Sequence, residues 1–280
     1  MHFRIASLCK AIAPVAAVLL AGALSGCDST VTINGEEGKK LSELDMGGTP
    51  PGNIVLAGPD HVRLTEGAKL AISVDGDPQV AEQLRFTLQD GTLGILRTRS
   101  WKQGGAVTVN VTMPAPREVT LAGSGTIEAP ALGKDASVTV AGSGDIRAGT
   151  ISGDSFNLTV AGSGTMHGGG AIRDLDMTIA GSGTADLAAL RSDKAKVTIA
   201  GSGNAVMTSD GEVSATILGS GQVTVKGRAT CSVSSMGSGK LVCESGPAKS
   251  ETDAAKDAAE DAANQAIEKA TDAAKDAGEN

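Results

Sequence analysis

Few side chains in this 280-residue sequence could do chemistry, and most of those that could recur at a fixed step. Gly-Ser-Gly occurs seven times, starting at Gly123, Gly142, Gly162, Gly181, Gly201, Gly219 and Gly237. A serine between glycines could be a nucleophile on a tight turn or part of a phosphate-binding loop. A nucleophile elbow reads Gly-x-Ser-x-Gly, which is absent. No copy continues as Gly-x-Gly-x-x-Gly, and Gly237-Ser238-Gly239-Lys240 lacks both the Walker spacing and a hydroxyl residue after the lysine. Calcium-binding repeats need recurring aspartate, whereas the residues after the triplets are Thr126, Asp145, Thr165, Thr184, Asn204, Gln222 and Lys240. His61 and His167 are too few for a histidine metal site. Asp174 and Asp176, two apart, read as a solvated strand face. No catalytic set, metal or cofactor is therefore expected.

The spacing points to architecture instead. Successive triplets lie 19, 20, 19, 20, 18 and 18 residues apart, the signature of a solenoid with one supersecondary unit per repeat. Four residues before each triplet stand Val119, Val138, Leu158, Met177, Val197, Ala215 and Val233. Two before stand Leu121, Val140, Val160, Ile179, Ile199, Ile217 and Ser235. Between these columns lie Thr120, Thr139, Thr159, Thr178, Thr198, Thr216 and then Ser234. Apolar, hydroxyl, apolar is period two, so each repeat holds a half-buried strand with threonine outward. A third apolar column follows the corner: Ile127, Ile146, Met166, Ala185, Ala205, Val223 and Leu241. The first glycines of the triplets, with their partners Gly125, Gly144, Gly164, Gly183, Gly203, Gly221 and Gly239, then mark corners between strands. With no tyrosine, three phenylalanines and one tryptophan, the core must be stacked Val, Ile, Leu and Ala. The expected fold is all-β, a parallel β-helix with coils of about 18–20 residues.

Upstream, Leu84–Leu88 and Leu93–Leu96 flank Gln89-Asp90-Gly91-Thr92, a hairpin pattern. Val55-Leu56-Ala57-Gly58 reads as a degenerate corner, and Ala106–Met113 as a strand ended by Pro114. These are expected as entry coils and a cap. The stretches Ala81–Leu84 to Asp90–Leu93, Val107–Pro114 and Val119–Ile127 resemble the GIN domain family, labelled an autotransporter adhesin head domain. That resemblance covers residues 52–246 and implies a right-handed β-helix. It carries no assigned biochemical activity, since fold does not supply function.

The N-terminus predicts location. Arg4 and Lys10 precede the apolar run Ala11–Ala23, too short to span a bilayer and suited to a signal peptide over 1–26. Leu24-Ser25-Gly26-Cys27 resembles the bacterial lipoprotein signal box, so Cys27 is expected to carry lipid and anchor the protein without crossing the membrane. The outer membrane is the first expectation and the inner membrane the second, since Asp28 follows the cysteine. Residues 27–51 read as a flexible tether. Cys9 leaves with the signal, and Cys231 and Cys243, on apolar column positions around the last triplet, are expected to form a disulfide that staples the final coil. The tail, 247–280, is rich in Ala, Asp, Glu and Lys, a solvated or fraying helix or a partner helix. Its nine acids against four lysines hold most of the net charge of −8.

A chain this acidic, almost without aromatic residues, is not built for nucleic acid. Two non-enzymatic functions remain. One is an envelope binding or adhesion module whose threonine column meets a glycan or protein ligand. The other is a self-associating scaffold. A polysaccharide-degrading β-helix enzyme is a distant third, since it needs clustered acids.

Overall fold

Threonine and the aliphatic residues it alternates with are β-branched or compact, so they fit a pleated surface with one face buried. The computed structural model describes residue 33, residues 38–98 and residues 105–244. Over these residues the chain forms a β-solenoid of about seven turns. Its strands are β1 (Asn53–Ala57), β2 (His61–Glu66), β3 (Ala71–Asp75), β4 (Leu84–Gln89), β5 (Thr92–Arg97), β6 (Thr108–Met113), β7 (Glu118–Gly123), β8 (Thr126–Ala131) and β9 (Ser137–Gly142). Then come the long strands β10 (Asp145–Gly162), β11 (Thr165–Gly181), β12 (Thr184–Gly201) and β13 (Asn204–Gly219), and finally β14 (Gln222–Lys226), β15 (Thr230–Gly237) and β16 (Lys240–Cys243). A short helix, α1 (Pro78–Ala81), precedes β4.

The long strands each run from one Gly-Ser-Gly corner to the next and pair in parallel, like residue on like residue. Thr159 pairs with Thr178, Thr178 with Thr198 and Thr198 with Thr216. The three apolar columns predicted from sequence point inward: Leu121, Val140, Val160, Ile179, Ile199 and Ile217 are all completely buried. Phe156 fills a wider section of the same core.

Each corner needs glycine twice, for two different reasons. Gly142 has φ +124°, and a Cβ there would lie 2.4 Å from the Gly123 carbonyl oxygen one coil below. That oxygen accepts the Ser143 N–H at 2.9 Å, so the corners themselves form a backbone ladder. The second glycine faces the core: a Cβ on Gly144 would sit 2.5 Å from Leu121 Cδ2. The serine between them is exposed.

The cap departs from sequence order. β1 lies between β5 and β7, and β2 between β6 and β8. The chain therefore starts in the second layer, climbs to build the outermost coil from β5 and β6, and returns beside β1 as β7. The entry coils do not stack in the order in which they are written, because β3 and β4 must reach the outer edge to cover it. β4 pairs antiparallel with β5 through Asp90-Gly91, both at positive φ (50° and 71°), the geometry a two-residue hairpin turn requires. β3 pairs antiparallel with β6.

Coil one has Asp60 where later corners have their second glycine. Asp60 is 1% exposed and forms a buried ion pair with Arg97. Arg97 Nε donates to Asp60 Oδ2 at 2.7 Å, Arg97 Nη1 donates to the Val80 carbonyl at 3.3 Å, and the Val107 N–H donates to Asp60 Oδ1 at 3.0 Å. One carboxylate thus ties the first corner, α1 and the lead-in to β6 together.

Part of the expected tether is docked. The Lys39 N–H donates to the Phe86 carbonyl, and the Phe86 N–H to the Lys39 carbonyl, both at 2.8 Å. Leu41, Leu44 and Met46 pack on the core, and Ile33 is buried. The signal segment 1–26, Cys27 and the tail 247–280 lie outside the described residues. At the other end Cys231 continues the column of Val213, and Cys243 that of Val225. They form a disulfide with their Cα atoms 6.6 Å apart, linking two sides of a last coil whose Val233 is already half exposed.

Three stability outcomes follow from these contacts. Gly181→Ala forces a Cβ onto positive φ and to 2.5 Å from the Gly162 oxygen; strain of this kind costs about 1–3 kcal/mol, read as a lower urea midpoint. Asp60→Ala removes the buried carboxylate that Arg97 Nε and the Val107 N–H share and should cost about 3–5 kcal/mol; a midpoint within error of wild type would refute the role given to this pair. Reduction of Cys231–Cys243, or Cys231→Ser, should remove about 2–3 kcal/mol, with hydrogen exchange rising first in β15 and β16.

Candidate functional site

Outside the core, what the solenoid offers is faces, each repeating one residue position per coil at about 4.8 Å. On the face before the corners, Thr120, Thr139, Thr159, Thr178, Thr198 and Thr216 stand in unbroken register and continue into Ser234. Ala122, Ala141, Ala161, Ala180 and Ala200 form the next outward column. Five steps between the six threonines make a row roughly 24 Å long. None of the six hydroxyls is hydrogen-bonded to a described residue, so each keeps its donor and acceptor capacity.

The row is not uniformly open. Thr159 is exposed, and Thr139, Thr178, Thr198 and Thr216 are half-buried between their neighbours. Thr120 is only 3% exposed, with its Oγ1 unpartnered. The expectation that all six face solvent therefore fails at the first position. Thr120 adjoins Val55 in the column and the apolar group of Ile33, Val55, Ala57 and Leu96 that covers this end of the face.

A second face carries charge that the sequence reading overlooked. One residue after Ile127, Ile146, Met166 and Ala185 of the third apolar column, Glu128, Arg147, His167 and Asp186 pair in register, and Arg63 of β2 joins at Glu128. Arg63 Nε lies 3.4 Å from Glu128 Oε2, Arg147 Nη1 3.7 Å from Glu128 Oε1, and Arg147 also pairs with Asp145. His167 stands between two carboxylates, with Nδ1 3.5 Å from Asp186 Oδ2 and Nε2 3.9 Å from Asp145 Oδ1. The legible signal was an ionisable residue recurring at the coil step. Exposed pairs like these contribute at most about 1 kcal/mol each; their larger effect is to keep the coils in register, since a slip would oppose like charges.

The remaining side has its own charge order. Asp174 and Asp176 are exposed, and each pairs in register with a lysine of the next coil, Lys194 and Lys196. This is the solvated face expected of them, in a shallow groove that also reaches Glu212. On the same side Asp135 accepts the N–H groups of Asp154 and Ser155 at 2.8 and 2.9 Å. The Ser155 and then the Asp154 N–H groups hold its carboxyl below the usual aspartate range. It is a corner brace.

Among the described residues no three His, Cys, Asp or Glu side chains converge as a metal site, and no corner serine hydroxyl is hydrogen-bonded to a described group. No described helix is long and apolar enough to cross a membrane.

Comparison with known proteins gives the same architecture. No curated protein matches the sequence. A crystal structure titled a putative adhesin from Bacteroides fragilis superimposes with a TM-score of 0.64 at 18% identity, covering 70% of this chain and 93% of its own. A structure titled a putative lipid binding protein from Parabacteroides distasonis gives 0.55 at 20% identity, over 70% and 93%. A putative adhesin from Parabacteroides merdae gives 0.51 at 17% identity, over 70% and 92%. At these identities the likeness establishes the fold. The family model described as "Putative auto-transporter adhesin, head GIN domain" matches residues 51–229, the whole solenoid but its last coil, and the chain belongs to that family.

Proposed function

We propose that this protein is a non-enzymatic module of a bacterial cell envelope, held to a membrane by lipid on Cys27, that binds or adheres through the threonine face. The observation that carries the reading is the row of in-register threonine hydroxyls, unbonded to any described residue, beside a column of alanines. A face of this kind has hydroxyls at a regular spacing and alanines that let a ligand approach the backbone. It suits an extended polar chain such as an envelope glycan, or an extended protein segment, better than a compact small molecule. The adhesin names of the family and of the structural neighbours support the reading. The sequence Leu24–Cys27 supports a lipid anchor; the outer membrane is the first choice and the inner membrane the second.

A second reading, self-association as a scaffold, has its own observation. At the last coil Val233, Met236 and Val242 are exposed, as is Leu218 beside Met236 on the coil before it. Among the described residues, β15 and β16 each pair on one side only. Unpaired edges beside apolar residues favour pairing with another chain.

A glycan array and a cell-wall pull-down, with light scattering on the same preparation, separate these readings. Saturable binding that falls about tenfold or more, the equivalent of 1.4 kcal/mol, when Thr139, Thr159, Thr178 and Thr198 become Val would support the module. The Val variants should keep the wild-type urea midpoint within about 0.5 kcal/mol, as surface changes do. A concentration-dependent oligomer without any ligand favours the scaffold. Turnover of a polysaccharide would refute both.

A further inference from the structure

The alanine column beside the threonine row does not end in alanine. After Ala141, Ala161, Ala180 and Ala200 it continues in register into Leu218 and Met236, which are 45% and 75% exposed. Two adjacent apolar side chains this open, on a surface of small residues, call for a cover. The acid and lysine bands adjoin the same face. Asp174, Asp176, Thr178 and Ala180 alternate with buried residues along β11, and Lys194, Lys196, Thr198 and Ala200 do so along β12. Each set of four therefore points one way. Both charges of one row are acidic and both of the next are basic. Among the described residues, no ion pair or side-chain hydrogen bond uses any of these four charged groups. The surface thus carries two unpaired bands of opposite sign and, further along the stack, two apolar knobs.

We propose that this face is a dimer interface, occupied by a second copy of the chain related by a two-fold axis parallel to the strands and midway between β11 and β12. Such an axis keeps each position along the strand and inverts the order of the coils. Asp174 then faces the partner's Lys194, and Asp176 the partner's Lys196, each contact made twice by symmetry. Leu218 falls on the partner's Ala161 and Met236 on the partner's Ala141, so both knobs land on the smallest side chains of the opposing column. Long side chains meet short ones in the outer columns and threonine meets threonine between them, which suits a single sheet separation of about 10 Å. The fit is particular to this axis. Moved onto either strand it sets lysine on lysine or aspartate on aspartate, which is repulsive. Turned to run along the stack, it sets the charged columns on threonine and alanine. With the rows from Thr139 to Ser234 matched, Thr120 and the Ile33 group beside it lie past the partner's Ser234 and meet no opposing strand. The opposed faces measure about 20 Å along the strands and about 24 Å across the coils. Both copies together contribute roughly 1,000 Å², the threshold of a specific interface. This pairing uses the face and not the open edge of the last coil, so it goes beyond the scaffold reading above. It also covers the threonine row, so a second copy and an extended ligand compete for one surface.

The test is sedimentation equilibrium of the full chain carrying Cys27→Ser, so that no lipid drives association. The mass should rise toward twice the monomer as the concentration approaches about 1 mM, and the dimer should weaken with added salt. Two charge-reversed variants decide the geometry. Lys194→Asp with Lys196→Asp, and Asp174→Lys with Asp176→Lys, should each weaken self-association about tenfold or more, because every charged contact becomes like on like. Mixed in equal amounts, the two variants should recover the dimer as a heterodimer, since each acidic row again faces a basic one. Leu218→Ser with Met236→Ser should weaken the dimer and leave its salt dependence in place. Circular dichroism and the thermal midpoint identify any variant that has lost the sheet. In that case Ala141→Cys with Met236→Cys decides: oxidation should link two copies covalently, and either cysteine alone should not. A monomer at every concentration, or reversed variants that fail to recover each other, overturns the proposal. So does a dimer indifferent to charge reversal, which would belong to the open edge of the last coil.

Discussion

Everything in this molecule hangs on how closely one corner can lie on the next. Coils of a parallel solenoid stack at the spacing of hydrogen-bonded strands, about 4.8 Å, and the corner is where a side chain would prop them apart. At Gly142, Gly162, Gly181 and Gly201 an added Cβ would meet the carbonyl oxygen of the preceding corner at 2.3–2.5 Å. The corner serine N–H instead bonds to that oxygen. Because the corners stack without props, the strands between them stay in register. Like residues then fall on like residues, and a narrow core of aliphatic columns closes without aromatic bulk.

A stack that regular has a problem at each end, and the two ends are solved differently. At the first coils the chain doubles back, so that antiparallel β3 and β4 cover the outer edge and a buried Asp60–Arg97 pair locks the turn. Buried ion pairs are poor sources of net stability and better sources of specificity. Here the pair occupies a corner where the second glycine is replaced by Asp60, marking where the Gly-Ser-Gly repetition stops. At the last coil the disulfide does part of that work, closing two sides of the core while Val233 and Met236 stay exposed.

This division bears on function. A solenoid whose interior is filled by stacked side chains presents its chemistry as rows on faces. The faces differ: one carries threonine and alanine, one alternating ion pairs around Glu128, Arg147 and His167, and one the Asp174/Asp176 and Lys194/Lys196 bands. The Glu128–Arg147 row is ion-paired coil to coil, and the Asp174/Asp176 and Lys194/Lys196 bands stand in register on neighbouring coils. The threonine hydroxyls have no hydrogen-bond partner among the described residues.

The sequence by itself determined the repeat, the three inward columns, the outward threonines, the corner glycines, the Asp90-Gly91 hairpin and the pairing of Cys231 with Cys243. All of these depend on local geometry or on one residue recurring per coil, and period two with a step near twenty is readable without knowing the packing. Tertiary structure alone decided the inverted order of the cap, since which strand lies beside β1 depends on edge protection and not on any local signal. It also decided that Asp60 meets Arg97, thirty-seven residues away, and that residues read as tether are docked through Lys39 and Ile33. The burial of Thr120 belongs here too: its own repeat is like the others, and only the chain that folds back beside it makes it different.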